Sequence, residues 1–181
     1  MPVNRETVKI AQNSIVCSEH TKMDGDITIG LRNVIHPTAT IIAEAGPIVI
    51  GDYNLIEENV CIINKSPKTM TIGSHNVFEV GARSETTSIG DDNVFESKCR
   101  VGNLTKITNC CIIGAMCDIN YDEILKENTI IFGSNCNRRL QHEKPSPPIS
   151  QIDFLTKILP NYQTIERPNY RISTNLQSPT S

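Results

Sequence analysis

Large apolar residues recur at every sixth position along most of this chain. A period of six does not match the 3.6-residue turn of an α-helix, but it equals three pleats of a β-strand, so the same side of the strand faces inward at each repeat. The pattern predicts a chain that turns once every six residues, with three such segments closing one triangular coil. The longest uninterrupted run of these positions comprises Ile89, Phe95, Val101, Ile107, Ile113, Ile119, Leu125 and Ile131.

A second repeat, of eight residues, lies over this period. Residues 29–36, 50–57, 72–79 and 89–96 each begin with Ile-Gly and carry Asn at their fifth position. Their starts are separated by 21, 22 and 17 residues, which corresponds to an 18-residue coil with short insertions or a deletion. Coils of this kind stack on one another, so each repeated position forms a column along the stack. We expect one apolar column of Ile29, Ile50, Ile72 and Ile89, and one hydrogen-bonded column of Asn33, Asn54, Asn76 and Asn93.

The pattern divides the chain into four parts. Residues 1–137 carry the six-residue period and are predicted to form an all-β parallel β-helix of about six to seven triangular coils. Residues 138–149 are rich in proline and are predicted to be an extended connector. Residues 150–166 are predicted to contain an α-helix capped by Ser150, whose apolar stripe lies on the solenoid. Residues 167–181 have few apolar anchors and are predicted to form a flexible tail. The stripe consists of Ile152, Leu155, Ile158 and Leu159.

Composition narrows the possible functions. The formal net charge is −3, which argues against a nucleic-acid-binding protein because such a protein would carry a basic face. The sequence contains no run of 18 apolar residues, so we expect no membrane span. The first residues lack the apolar core of a signal peptide. We therefore expect a cytosolic protein with reduced thiols. The seven cysteines are not spaced as a zinc site, and Cys99, Cys111 and Cys117 are expected to pack as small apolar residues.

The positions of the histidines indicate whether this solenoid could be an enzyme. Acyltransferases with hexapeptide repeats use a histidine base in a trimer groove, and γ-class carbonic anhydrases use three histidines to hold a metal. This chain has four histidines, and we expect all of them to be solvated surface residues. Neither His36 nor His75 has a second histidine at the close spacing that a shared metal requires. We expect no catalytic, metal or cofactor residues, although either histidine as a lone base remains an alternative.

An acidic column is the other candidate site. Glu57, Glu79 and Glu96 each follow the inward residue of the same face in three successive coils, and we call them the acidic ridge. Three carboxylates about 5 Å apart repel one another unless cations or partner arginines compensate. The ridge is interpreted either as a solvated charged corner or as a docking surface for a basic partner. A catalytic carboxylate pair is disfavoured because a convex corner offers no pocket.

Two segments resemble a known family more specifically than the six-residue period does. Residues 42–47 read Ile-Ala-Glu-Ala-Gly-Pro, and residues 154–162 read Phe-Leu-Thr-Lys-Ile-Leu-Pro-Asn-Tyr. Together with the repeats around Gly30, Asn54 and Asn76, they resemble the dynactin subunit 6 family over roughly residues 8–165.

The resemblance implies a left-handed β-helix without enzymatic activity, in the pointed-end subcomplex of dynactin. The implied partners are dynactin subunit 5, dynactin subunit 4 and an actin-related protein. The implied roles are dynein-driven microtubule transport, cargo attachment and kinetochore events, in the cytoplasm and on the cytoskeleton. The family also carries a proline-directed phosphorylation site in its C-terminal tail, for which Ser178 is the candidate here. A hexapeptide-repeat acyltransferase or a γ-carbonic-anhydrase-like enzyme is the alternative.

Overall fold

A computed structural model describes residues 7–172, which form twenty-two short strands, one α-helix and one 3-10 helix. The helix α1 spans Ile149–Ile158, and the 3-10 helix spans Leu159–Asn161. The strands are β1 Val8–Ile10, β2 Ile15–Cys17, β3 Lys22–Asp24, β4 Ile27–Ile29, β5 Val34–Ile35, β6 Thr40–Ala43, β7 Ile48–Ile50, β8 Leu55–Ile56, β9 Cys61–Asn64, β10 Met70–Ile72, β11 Val77–Phe78, β12 Arg83–Ser84, β13 Ser88–Ile89, β14 Val94–Phe95, β15 Arg100–Val101, β16 Thr105–Lys106, β17 Ile112–Ile113, β18 Asp118–Ile119, β19 Glu123–Ile124, β20 Thr129–Phe132, β21 Asn137–Leu140 and β22 Ile165–Glu166.

The strands form three parallel faces that wind around one core. The first face has the order β1-β4-β7-β10-β13 and is continued by the pair β16-β19. The second face contains seven parallel strands from β2 to β20, and the third runs from β3 to β18. Ile29, Ile50, Ile72 and Ile89 pair in register, each with the next, so the predicted apolar column is confirmed. The predicted fold class, a parallel β-helix of hexapeptide coils with a C-terminal helix, is also confirmed.

The core follows from the six-residue period. Inward residues from all three faces form one continuous apolar cluster from Val8 to Ile131, and most of its members are completely buried. Phe78 and Phe95 stack in it with ring centroids 4.4 Å apart and planes 7° from parallel. Because each coil contributes a few large side chains directly above those of the coil below, no coil encloses a core without its neighbours.

A column of buried asparagines connects four coils along the axis. The side-chain oxygen of Asn33 accepts hydrogen bonds from the backbone and side-chain nitrogens of Asn54, at 2.8 and 3.0 Å. Asn54 does the same for Asn76, and Asn76 for Asn93. Each side-chain N–H₂ group also donates to a backbone carbonyl, as Asn76 does to Gly90. The predicted column is therefore confirmed, and it satisfies the polar groups of a fully buried position.

Both ends of the second face are closed by antiparallel strands, which the six-residue pattern did not predict. Strand β21 pairs with β20 at one end, and β22 pairs with β2 at the other. The predicted connector therefore begins with a sheet strand, because β20 would otherwise present an unpaired edge. All four residues of β21 are exposed, so no alternation of apolar and polar residues marks it.

The C-terminal boundaries also differ from those predicted. Helix α1 begins at Ile149 after Pro148, which occupies the cap position without a side-chain hydrogen bond, so the prediction of Ser150 as N-cap is wrong. Residues 165–166 form β22 rather than a continuation of the helix. The first residues of the predicted tail are anchored, because Asn169 donates to Ile10 O from its backbone and to Val8 O from its side chain. Ser178 lies outside the described residues.

Helix α1 packs on the outer side of the second face. Ile152 is buried against Val34 and Leu55, and Leu155 and Leu159 pack at the edge of the same cluster. Three of the four predicted stripe residues therefore make this contact, while Ile158 is half-buried outside the cluster. The segment between residues 7 and 172 contains no helix with the length and apolarity needed to cross a bilayer.

We expect Asn76→Ala to destabilise the fold by about 2–4 kcal/mol, because it leaves the backbone N–H of Asn93 and the carbonyl of Gly90 without partners. The side-chain amide of Asn93 loses one of its two acceptors and keeps the carbonyl of Thr108. The free energy of unfolding in urea measures this effect. Asn103→Ala serves as the control, since Asn103 is exposed at a turn. Equal stabilities of the two variants would contradict a structural role for the column.

We expect Ile152→Ala to lower the free energy of unfolding by about 2–4 kcal/mol, because it empties the centre of the contact between α1 and the second face. Phe154→Ala is the matched control on the same helix, since 61% of Phe154 is exposed. Urea unfolding of both variants tests the docking of the helix. If Phe154→Ala were the more damaging change, the helix would pack through a different side.

Candidate interaction surface

The acidic ridge lies at the corner where the second face ends. Ile56, Phe78 and Phe95, the residues that precede its three glutamates, pair in register along the second face. Adjacent strands are about 4.8 Å apart, so the three glutamates stand above one another in successive coils. The structure therefore brings together the three residues predicted to form the ridge.

Each carboxylate of the ridge accepts a hydrogen bond from the backbone of the next coil. Oε2 of Glu57 accepts from the N–H of Val80 at 3.1 Å. Oε2 of Glu79 accepts from both the N–H and the hydroxyl of Ser97, each at 3.0 Å. Oε2 of Glu96 accepts from the N–H of Ala115 at 2.9 Å. The ridge thus satisfies corner N–H groups, and this structural role was not predicted from the sequence.

The environment of the ridge is partly desolvated. All three glutamates are half-buried. Burial raises the pKa of Glu57, the N–H of Val80 opposes this shift, and the charge of Glu79 adds to it. The backbone hydrogen bonds compensate part of the repulsion within the column, because hydrogen bonds to a carboxylate favour its charged form. The docking role of the ridge stays a prediction.

The corner after the first face contains a similar ladder. Oδ1 of Asp52 accepts from the N–H of Leu31 at 2.7 Å, and Oγ of Ser74 accepts from the N–H of Asp52 at 3.0 Å. The same contact recurs in the next two coils. Oδ1 of Asp91 accepts from the N–H of Ser74 at 2.7 Å, and Oδ1 of Asn109 accepts from the N–H of Asp91 at 2.8 Å. These residues directly follow the glycine positions of the repeat. At both corners, a residue with a side-chain oxygen recurs at the same position of successive coils. This recurrence was the signal in the sequence that could have revealed the two series of hydrogen bonds.

The histidines are not grouped. Nδ1 of His36 lies 2.8 Å from Oε1 of Glu58, and only 13% of the His36 side chain is exposed. The expectation that His36 is a solvated surface residue was therefore wrong, because most of its side chain is buried and its ring is paired with Glu58. His75 pairs with Asp92 at 3.4 Å and lies beside the ring of Tyr53. Across residues 7–172, no three His, Cys, Asp or Glu side chains are placed to hold a metal ion.

Comparison with known proteins identifies the family. No family model matches the chain. It is 50% identical over 182 residues to dynactin subunit 6 of Xenopus tropicalis, covering 94% of this chain and 90% of the relative. It is also 50% identical to dynactin subunit 6 of Danio rerio and 49% identical to that of Nematostella vectensis, covering 90% and 88% of this chain and 89% and 92% of those relatives. The chain belongs to the dynactin subunit 6 family.

A solved structure supports the fold of this member of the dynactin subunit 6 family. A Bacillus cereus protein described as a candidate acetyltransferase superposes with a TM-score of 0.62 at 15% identity, covering 83% of this chain and 86% of the bacterial one. At this identity the likeness concerns the fold alone. It shows that the hexapeptide solenoid of the dynactin subunit 6 family is shared with proteins of other descriptions.

We expect Glu79→Ala to lower the free energy of unfolding by about 1–3 kcal/mol, because the half-buried N–H of Ser97 loses its acceptor. Glu79→Gln keeps an acceptor oxygen at the same position, so most of the stability should remain. Glu44→Ala, at an exposed site, is the control. Thermal unfolding compares the three proteins, and equal losses in the Ala and Gln variants at Glu79 would rule out the hydrogen bond as the cause.

Proposed function

We propose that this chain is a non-catalytic scaffold subunit of dynactin. The observation that carries the proposal is the 50% identity to dynactin subunit 6 along nearly the whole chain. The aligned region covers 94% of the chain, so it includes helix α1 as well as the solenoid. In this proposal the protein belongs to the pointed-end subcomplex, beside dynactin subunit 5, dynactin subunit 4 and an actin-related protein.

The proposed role is to support dynein-driven microtubule transport and the attachment of cargo. It places the protein in the cytoplasm and on the cytoskeleton, and at kinetochores during division. Phosphorylation of Ser178 belongs to the same proposal. A rigid prism with an external helix suits a scaffold, because its faces keep a fixed geometry while loops and corners meet different partners.

The geometry of the histidines favours this proposal over the enzymatic alternative. Nδ1 of His36 is engaged by Glu58, and the ring is largely covered. His75 has an acidic neighbour, Asp92, and its imidazole lies beside the ring of Tyr53. A general base must reach the proton of a substrate held in a cleft, and the main pockets of residues 7–172 are lined by other residues than these two histidines.

The acidic ridge is the surface that we propose for a basic partner. Because Oε2 of each glutamate is fixed by a backbone N–H, the three side chains are oriented before any partner arrives. Oε1 of each is then the atom that an arginine or lysine would meet. A row of oriented carboxylates repeating at the rung spacing matches cations carried on an extended strand or along one face of a helix.

Affinity capture tests the membership. The tagged protein, expressed in cells of its own organism, is expected to recover dynactin subunits 4 and 5 and an actin-related protein, identified by mass spectrometry. Recovery of none of the three would refute the proposal. Turnover of acetyl-CoA or hydration of CO₂ by the purified protein, lost in His36→Ala or His75→Ala, would favour the enzymatic alternative.

The ridge is tested separately with the triple variant Glu57→Gln, Glu79→Gln and Glu96→Gln. It removes three charges while keeping three acceptor oxygens, so we expect a folded protein with severalfold weaker capture. The matched control is Glu44→Gln, Asp122→Asn and Glu143→Gln, which removes three exposed charges away from the ridge. Equal recovery of partners by both variants, at unchanged melting temperature, would leave the ridge with its structural role alone.

A further inference from the structure

A column of small buried residues runs along the inner side of the corner that carries the acidic ridge. Each member lies two residues before an inward position of the third face. From the second member onward, the backbone N–H donates a hydrogen bond to the carbonyl three residues earlier and so closes a turn. Cys99 bonds to Glu96 O in this way, and Cys117 to Gly114 O. The column consists of Ala39, Val60, Ala82, Cys99 and Cys117, all buried.

Cys136 repeats this turn one coil further along the axis. Its N–H donates to the carbonyl of Gly133 at 3.0 Å, matching the bond from Cys117 to Gly114. Cys136 follows β20 and lies in the turn that leads into β21. Its side chain packs against the end of the core cluster and is half-buried. Cys136 therefore covers the position of Cys117 at the end of the solenoid.

Each of the two thiols donates a hydrogen bond to a backbone carbonyl in the turn that carries the other cysteine. Sγ of Cys117 donates to Gly133 O at 3.5 Å, and Gly133 begins the turn that contains Cys136. Sγ of Cys136 donates to Asp118 O at 3.7 Å, and Asp118 directly follows Cys117. Burial raises the pKa of Cys117 to about 11, and the contact with the thiol of Cys136 raises it as well. The reciprocal hydrogen bonds to Gly133 and Asp118 therefore make the two thiols neighbours across adjacent coils.

The spacing suits a covalent bond between them. Neighbouring rungs are about 4.8 Å apart, and disulfides join residues whose Cα atoms are about 4.4–6.8 Å apart. Cys136 also lies in a turn at the end of the stack, where the backbone can adjust more freely than within a ladder. By contrast, Cys99 is fully buried between coils and has no route to an oxidant.

We propose that Cys117 and Cys136 form a reversible disulfide when the protein meets a low-molecular-weight disulfide such as glutathione disulfide. The thiolate of the half-exposed Cys136 attacks one sulfur of glutathione disulfide and releases one glutathione thiolate. Cys117 then loses its proton to that thiolate and attacks Sγ of Cys136, which releases the second glutathione. Two protein thiols are oxidised to one disulfide, and one glutathione disulfide is reduced to two molecules of glutathione.

The bond would fix the end cap of the solenoid. Strand β21 closes the second face by pairing with β20, and Cys136 is in the turn between these strands. Tying that turn to the coil below removes the freedom of the β20–β21 hairpin to separate from the stack. In a reducing cytosol the thiols stay free, so the disulfide forms only under oxidative conditions. The inference is independent of the proposed membership of dynactin.

The test incubates the purified full-length chain in glutathione redox buffers of increasing oxidising strength, followed by alkylation and peptide mass spectrometry. We expect the loss of two alkylatable thiols and the appearance of one peptide pair joined through Cys117 and Cys136, reversed by dithiothreitol. Amide hydrogen exchange of Asn137–Leu140 should become slower in the oxidised form. Cys136→Ser and Cys117→Ala should each abolish the crosslink, and alanine already fills this column at Ala39 and Ala82.

Cys110→Ser is the matched control, because Cys110 is buried at another corner and should leave the crosslink intact. A glutathione adduct that persists on Cys136 would overturn the proposal. So would a crosslink between Cys99 and Cys117, or unchanged thiols in a protein that circular dichroism shows to be folded.

Discussion

The rest of this structure depends on one constraint: the backbone N–H and C=O groups that point along the axis of the prism need hydrogen-bond partners. Within the faces, each coil satisfies them by pairing with the next in parallel register. At the corners the chain turns away from its neighbours, and the ladder would be interrupted there. Side-chain oxygens replace the missing acceptors: asparagine in the buried column, aspartate, serine and asparagine after the first face, and glutamate after the second.

This requirement gives the surface a dual character. A corner carboxylate that accepts a backbone N–H is fixed in orientation, and it still carries a negative charge at the surface. The acidic ridge can therefore contribute to stability and to recognition at once, and substitutions that remove both the charge and the acceptor confound the two. The amide variants separate them, because glutamine keeps the oxygen and loses the charge. The same reasoning applies to Asp52 and Asp91 at the other corner.

The six-residue period was enough to predict the core, the column Ile29–Ile50–Ile72–Ile89 and the asparagine ladder, because each depends on the spacing of inward positions. The antiparallel pairing of β21 with β20 and of β22 with β2 could not be predicted in this way. Their residues face solvent or a single neighbour, so they carry no apolar alternation, and what determines them is the unpaired edge that they cover. The covered ring of His36 was missed for a related reason: Glu58, which engages it, lies 22 residues further along the chain.

The two ends of the described chain meet at the first coil. Residues 164–172 bind the edge of that coil through Thr164, β22, Asn169 and the backbone of Ile172, which reaches the side chain of Gln12. A ribosome makes the first coil long before it makes this segment. At about 5–20 residues per second, the nascent chain spends roughly 7–30 s with the edge of its first coil uncovered by this segment. The edge of the first coil therefore lacks this cover until residues 164–172 have been synthesised.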